Sequence, residues 1–443
     1  MKMNTVAIST LGCKVNQYET QAMLEIFEKK GYQVVDEKEK ADVFVINTCT
    51  VTNTGDRKSR QLIRRALKNN PKAIIAVVGC YSQLEPDEVK EIKGVHVVLG
   101  TQNRSKIVEA VEEAAGKERP SVHVEDYQQQ HQYEAIGIDN QIDKTRAYVK
   151  IQDGCDQYCS YCIIPYARGP VRSREEKEIL HEVTKLVQNG YQEIVLTGIH
   201  LTSYGKDRKE PEALFPLIEK INAIPDLLRI RLGSLDPFWF KEDTIKKLMQ
   251  LDKLCPHFHL SLQSGSDDIL KKMARRYTTK DYWEIVSEIR RWNQNAAITT
   301  DIITGFPGET DADFHKTCQF IKDIEFSQVH IFKYSPRRGT KAAKDPNQIS
   351  DKDKNKRSEI LHEIVRKSRL QYMKKFMNQQ VNVLFERYCT EGEDWMIGHT
   401  AEYLQVKALL NSENIKKIVP VTVTDIKKDF LIGSPVKNRE KPK

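Results

Sequence analysis

The stretch GCDQYCSYCIIPYARG (residues 154–169) sets three cysteines, Cys155, Cys159 and Cys162, in the spacing CxxxCxxC. Thiolates are the usual ligands of 4Fe–4S cubes, and three sulfurs so spaced can hold three corners of one cube. The fourth iron is then left to a substrate, a solvent molecule or a further ligand. The competing reading is a structural zinc knuckle. Structural zinc takes four protein ligands in a tetrahedron, and neither a His nor a fourth Cys lies near the triplet.

Just before the triplet runs the strand pattern YVKI. Similar patterns follow at intervals of roughly 30 to 45 residues, about one βα unit each: EIVLTGI, RIRLGSL, HFHLSL, ITTDIITGF and QVHIFKY. Helical patterns separate them, including 178–188 and 282–292. Six βα units are too few for a closed eight-stranded barrel and suit a partial barrel, open on one side to a bulky substrate. Barrel enzymes carry chemistry at the carboxyl ends of their strands, and the triplet follows the first strand. Other strand ends are rich in small and polar residues, among them Thr197, Gly198, Ser234, Ser261, Gln263, Asp301 and Gly305. Glycine lets a backbone come close to a ligand. His200 also lies at a strand end, where a lone His is more often structural than a general base.

Upstream, TVAIST, VFVINT, IIAVVG and VHVVLG alternate with helical patterns at 21–30, 58–68 and 86–92. Apolar runs interleaved with helices indicate a parallel sheet covered on both faces. Each of the first three strands runs into a cysteine: Cys13, Cys49 and Cys80. Right-handed crossovers place all strand carboxyl ends on one edge, where such folds build their sites. The intervals of 36 and 31 residues, about one βα unit each, therefore bring the three together as a second site-differentiated cluster site. The alternative is that they are small buried hydrophobes. Cys255, Cys318 and Cys389 show no such partnership and read as core or surface thiols.

Residues 116–145 are polar, with Gln at 128, 129 and 130, and read as a linker with one or two weak strands. From about residue 376, VNVLFER, WMIGHT, EYLQVKALL and IVPVTVTDI have the short alternating pattern of a small antiparallel barrel. Lys407, Lys416, Lys417, Lys427 and Lys428 punctuate it, and oligonucleotide-binding barrels pair this architecture with a positive surface. Arg57, Arg60, Arg64 and Lys68 share one helical face, and 352–375 is a third basic stretch. With 70 Lys and Arg against 62 Asp and Glu, a net charge of +8, these features favour a phosphate-backbone partner. No run of 18 apolar residues occurs, and the opening MKMNTVAISTLGC lacks the marks of a signal peptide. The expected setting is cytoplasmic, with no membrane partner, where reduced cysteines serve metal binding or catalysis.

The triplet segment resembles the radical S-adenosylmethionine enzymes, in which the open iron chelates the amino and carboxylate groups of S-adenosylmethionine. An electron from the cluster then splits the sulfonium to give a 5′-deoxyadenosyl radical. STLGCKVNQYET, NTCTVTN, VVGCYSQ, GCDQYCSYCIIPYARG, LTGIHLTSYG and HLSLQSGS together resemble the methylthiotransferase family. Lys14-Val15-Asn16 most resembles its threonylcarbamoyladenosine-tRNA branch.

The resemblance implies an α/β chain in four parts. These are an N-terminal parallel α/β methylthiotransferase domain (1–115), a linker (116–140), a radical S-adenosylmethionine core built as a partial (βα)6 barrel (141–372), and a TRAM RNA-binding domain, a small OB-like antiparallel β-barrel (373–438). It implies two 4Fe–4S clusters. The first, on Cys155, Cys159 and Cys162, binds S-adenosylmethionine; the auxiliary one is held by Cys13, Cys49 and Cys80. Cofactor contacts carry over to Tyr161, Thr197, Gly198, Ser234, Ser261, Gln263, Asp301 and Gly305. The family's usual Gly-Gly-Glu is here Thr197-Gly198-Ile199, a departure at the amino-group contact.

The implied reaction is methylthiolation at C2 of N6-threonylcarbamoyladenosine just 3′ of the anticodon. Its partners are a tRNA anticodon stem-loop, an electron donor such as a flavodoxin and a sulfur donor. An aromatic C2–H is too weakly acidic for a general base, hence the radical. Isopentenyladenosine tRNA and a ribosomal-protein aspartate are alternative substrates on the same fold. From a different class, an iron–sulfur RNA-binding redox sensor would share the cysteines and the basic surface.

Overall fold

Val43–Thr48 is buried at every position and Ile74–Gly79 at all but one, the environment in which β-branched residues favour a parallel strand. In the computed structural model, which describes residues 3–117, 119–129, 132–140, 145–389, 395–410 and 412–436, these strands centre a six-stranded parallel sheet. Its order is Gln33–Val34, Thr5–Thr10, Val43–Thr48, Ile74–Gly79, Val97–Leu99, Ser121–His123. The last strand comes from the polar 116–145 stretch. Residues 118, 130, 131 and 141–144 of that stretch lie outside the described residues, as do 390–394, 411, 437 and 438 of the C-terminal segment.

The helices Lys14–Lys29 and Asn53–Asn69 begin earlier than their apolar periodicity indicates. In the first, Asn16, Glu19, Thr20, Gln21 and Glu25 are buried, so a polar face that looks solvated in sequence is an interface. That helix packs on the barrel strands Ala147–Asp153 and Glu193–Gly198.

The central unit has the six expected parallel strands: Ala147–Asp153, Glu193–Gly198, Arg229–Leu232 continued as Ser234–Leu235, His257–Leu260, Ala297–Thr304 and Gln328–Lys333. Arg172–Ser173 adds a short antiparallel edge to the first, and the other edge stays open. Val149, Ile151, Leu196, Ile230, Phe258, Leu260 and Ile298 pack beneath the outer helices as one core. The helix Asp351–Lys374, capped by the Ser350 side chain at the Asp353 amide, packs on Gln328–Lys333 and carries the chain to the last unit.

That unit is a closed five-stranded barrel, Gln380–Tyr388, Trp395–Thr400, Gln405–Leu409, Phe430–Pro435, Ile418–Lys427. All its neighbours are antiparallel except Gln405–Leu409 with Phe430–Pro435, which run parallel. The final hairpin closes the barrel by reaching round to the third strand, so one parallel pair modifies the expected antiparallel pattern. The barrel docks at the amino ends of the central strands. Arg229 donates to the Asn382 carbonyl at 2.7 Å and Arg231 to the Ala401 carbonyl at 2.9 Å, while both pair with fully buried Glu193. Among the described residues, no helix is long and apolar enough to cross a membrane.

Candidate active site between two cysteine triplets

The carboxyl ends of Thr5–Thr10, Val43–Thr48 and Ile74–Gly79 deliver Cys13, Cys49 and Cys80 to one place. A Cβ added at Gly12 would stand 3.2 Å from the Cys49 sulfur. Burial first, then the neighbouring Cys80 and Cys13, pushes the Cys49 thiol up to about 12. Gly79, at φ +101°, turns the chain from strand into the helix Cys80–Leu84. A Cβ there would meet Asn47 Oδ1 at 2.7 Å and the Thr48 carbonyl at 2.8 Å, so the turn requires glycine. Cys13 is exposed, Cys49 half-buried and Cys80 buried.

The second triplet follows Ala147–Asp153, the first barrel strand. The Cys155 amide donates to the Gly169 carbonyl at 3.0 Å and the Cys162 amide to the Cys159 carbonyl at 2.9 Å. The Ser160 amide and hydroxyl donate to the Met273 and Lys272 carbonyls. This holds the loop before any ligand binds. Burial raises Cys155 and Cys162 to about 12, so a metal must displace a proton from each at neutral pH.

Each triplet receives one guanidinium N–H. Arg168 Nε donates to Cys80 Sγ and Arg275 Nη1 to Cys159 Sγ, both at 3.3 Å. Arg275 also pairs with Asp236 at 3.1 Å, and His200 meets the same carboxylate at 3.3 Å. Burial works to raise Asp236, but His200 and Arg275 prevail and hold it at about 2. The other His200 ring nitrogen meets Ser203 Oγ at 2.5 Å, so both are engaged.

Arg168 lies at the end of the quoted motif yet reaches the other triplet. It is fully buried and uses its whole fork. Beyond Cys80 it donates to Asn16 Oδ1 at 2.7 Å, to the Glu19 oxygens at 2.6 and 3.0 Å, and to Asp153 at 3.2 Å. Asn16 in turn donates to the Leu11 and Thr48 carbonyls, tying the ends of the first two long strands. Lys150 bridges Glu19 at 2.7 Å and Asp153 at 2.6 Å, and Arg104 reaches Glu19 at 3.1 Å. A second joint sets Arg337 against Asp56, Asn53 and Thr50 at 2.6–2.7 Å.

Between the triplets is a cavity of about 290 Å³, near the lower end for small-molecule sites, roughly 300 Å³. Val51 and Thr52, next to Cys49, form one wall; Tyr161, Cys162, Ile163 and Ile164 form another; Gln263, Asp301, Ile303 and Phe332 complete it. A larger groove of about 580 Å³ between Pro237 and Glu288 carries no cysteine. Of the expected cofactor contacts, Tyr161, Gln263 and Asp301 line the cavity. Thr197, Gly198, Ser234, Ser261 and Gly305 do not. Ser261 accepts from Arg275 and Tyr277, and the Gly305 amide donates to Glu309 at 2.8 Å. Arg168, Arg275, Asn16 and Glu19 are not recoverable from motif spacing, because each acts across a long sequence separation.

The donor sets fit iron–sulfur cubes better than single ions. Among the described residues, His259, Asp301 and His330 are the only such group with ligating atoms within 4.8 Å of one another. Sulfurs about 2.3 Å from one tetrahedral zinc would stand under about 4 Å apart, closer than either triplet is gathered. Guanidinium hydrogen bonds to sulfur are also among the groups that tune cluster potentials.

Residues 5–100 match the Uncharacterized protein family UPF0004 and residues 149–321 the Radical SAM superfamily. The chain is 40% identical over 423 residues to threonylcarbamoyladenosine tRNA methylthiotransferase MtaB of Bacillus subtilis, covering 95% of this chain and 94% of that protein. It is 39% identical to the protein of the same name from Thermotoga maritima, over 88% of each. A tRNA-2-methylthio-N(6)-dimethylallyladenosine synthase of Clostridium tetani is 36% identical over 98% of this chain and 96% of its own. The radical S-adenosylmethionine methyltransferase TsrM from Kitasatospora setae, solved with cobalamin and a 4Fe–4S cluster, superimposes with a TM-score of 0.54. At 16% identity over 76% of this chain and 77% of that one, this is a likeness of fold alone.

Proposed function

The chain belongs to the radical S-adenosylmethionine tRNA methylthiotransferases, and we propose that it methylthiolates C2 of N6-threonylcarbamoyladenosine beside the anticodon of tRNA. The observation that carries this reading is the near full-length identity to the threonylcarbamoyladenosine enzymes. The cavity lined by Cys162 on one side and by Val51 and Thr52, just after Cys49, on the other supports it. Cys155, Cys159 and Cys162 would hold the cluster that binds S-adenosylmethionine, and Cys13, Cys49 and Cys80 the auxiliary one. Bound there, the clusters supply one-electron cleavage of S-adenosylmethionine and delivery of sulfur.

The protein's own part is to bind, orient and exclude water. Val51, Ile163, Ile164, Ile303 and Phe332 give the cavity apolar walls suited to a flat base. Gln263 adopts φ +74°; its amide donates to the Asp301 carbonyl, and its carbonyl accepts from Ile303, both at 2.9 Å. With the backbone so held, Gln263, Tyr161 and Asp301 offer their polar atoms to the cofactor. The other carried-over contacts, Thr197, Gly198, Ser234, Ser261 and Gly305, stand outside the cavity lining.

The RNA runs over the helix Asn53–Asn69, which leaves the cavity rim carrying exposed Arg57, Lys58, Arg64 and Lys68. It continues to the C-terminal barrel, where Lys427 and Lys428 are exposed. A flavodoxin-like electron donor, a sulfur donor and a cytoplasmic setting complete the reading.

Mass spectrometry of tRNA nucleosides from cells with and without the gene tests it. Loss of the 2-methylthio derivative with accumulation of N6-threonylcarbamoyladenosine is the expected result. An unchanged level would favour the second reading, the dimethylallyladenosine substrate named for the Clostridium tetani relative.

A further inference from the structure

We propose that Lys14 and His330, set beside the fixed His259 ring, form a recognition subsite for a carboxylate, namely that of the threonyl group on the proposed substrate. The inference rests on that reading of the substrate and adds to it the groups that would tell an acidic N6 substituent from an apolar one.

His259, Asp301 and His330 stand on three neighbouring parallel strands. His259 is paired with Thr299, and Asp301 with His330. The two imidazole centroids are 5.9 Å apart, and one ligating atom of each of the three residues falls within 4.8 Å of the others. Asp301 lines the cavity between the triplets, His330 lines an open groove along Gln328–Lys333 and the helix Asp351–Lys374, and Phe332 belongs to both. The cluster therefore sits where the two spaces meet.

Lys14 opens the helix Lys14–Lys29, which packs on the strands Ala147–Asp153 and Glu193–Gly198. It directly follows Cys13 and lies within electrostatic reach of Asp301, His257 and His330. Neither the Lys14 ammonium nor the His330 ring has a hydrogen bond or ion pair to any described residue. The nearby acids are committed. Glu193 is held by Arg231 at 2.7 Å and Arg229 at 3.5 Å, and Asp301 faces His259 Nε2 at 3.2 Å. His259 Nδ1 lies 3.0 Å from Thr299 Oγ1, so that ring is fixed at both nitrogens and Asp301 acts as its positioning residue.

An incoming carboxylate would thus find two open donors, Lys14 and His330, in surroundings made more positive by Arg146 and Arg231. An unpaired, half-buried ammonium is costly, and an incoming carboxylate gives it a charge-assisted partner. The dimethylallyl group offers nothing to these donors. His259, Asp301 and His330 could ligate a divalent cation in other surroundings, but here that ion would lie in the field of the Lys14 ammonium.

The test uses the cluster-loaded enzyme and three anticodon stem-loop RNAs carrying the threonylcarbamoyl group as the free acid, as its methyl ester, or a dimethylallyl group instead. KM, and Kd from fluorescence anisotropy, should favour the acid over the ester by on the order of tenfold to hundredfold. Lys14→Met and His330→Gln should each erode that preference at unchanged iron and sulfide content, and Lys14→Arg should restore most of it. Should Lys14→Met lose its clusters, exposed His330 still decides through His330→Gln.

Equal affinity for acid and ester by a wild-type enzyme that methylthiolates both would overturn the subsite while leaving the substrate reading intact. Action on the dimethylallyl RNA alone would overturn both. A stoichiometric metal other than iron that His330→Gln removes would also overturn it, by assigning the cluster to a cation.

Discussion

One guanidinium touches the N-terminal triplet and the barrel's charge cluster together. Arg168 spends its N–H groups on Cys80, Asn16, Glu19 and Asp153, so Arg168→Lys keeps the charge but loses the fork. We expect destabilisation of about 3–5 kcal/mol, because buried Glu19 and Asp153 lose part of their pairing. The auxiliary cluster should also become harder to reduce, since a hydrogen bond to its sulfur is gone. Calorimetry and a redox titration followed by electron paramagnetic resonance read the two effects; an unmoved potential would show that the sulfur contact is incidental. Cys13→Ala should abolish methylthiolation yet leave 5′-deoxyadenosine formation, whereas Cys159→Ala should abolish both, as liquid chromatography of the products would show. The six cysteines were legible in sequence because topology and spacing announce them. Arg168 was not, although it lies in the quoted motif, because its sulfur partner is 88 residues away.

At the level of elements, the strands were readable from apolar runs and the first turns of two helices were not. The helix Lys14–Lys29 buries Asn16, Glu19 and Glu25, polar residues that periodicity assigns to solvent. The basic helix divides in a similar way. Arg60 is taken up by Tyr81 at 2.9 Å and Glu88 at 3.0 Å, while Arg57 and Arg64 on Asn53–Asn69 are exposed. Replacing Arg57 and Arg64 together by Ala should weaken tRNA binding across sequences. It should also flatten the plot of log affinity against log salt by up to about 2, near 0.9 for each phosphate no longer neutralised. Arg60→Ala should barely change that slope. Binding titrations at several salt concentrations would show the difference, and equal slopes for the two variants would remove this helix from the RNA path.

Across the whole molecule, the two cysteine triplets belong to separate sheets, and a buried charge cluster joins the units that carry them. Burial works to raise Glu19, but Arg104, Arg168 and Lys150 prevail and hold it at about 2, against 4.5 for the free carboxyl. Asp153 is likewise held well below 3.8, against the same burial, by Lys150, Arg168 and Arg172. Both acids are depressed in the folded state, so their stabilisation is fully present above about pH 4.5 and is lost as pH falls from there toward 2. For Glu19 the loss is on the order of 3 kcal/mol, and it falls on the joint between the N-terminal sheet and the barrel. Acid should therefore undock the two units before either core melts. Small-angle scattering of the cluster-free chain between pH 6 and 3 should show expansion while far-ultraviolet dichroism persists. Glu19→Gln, which leaves Arg168 and Lys150 short of a charge, should be expanded already at pH 6 and respond less to acid. If the wild-type chain instead loses secondary structure and compactness together, the joint is as stable as the cores it connects, and the charge cluster is not the weakest link between the two cysteine sites.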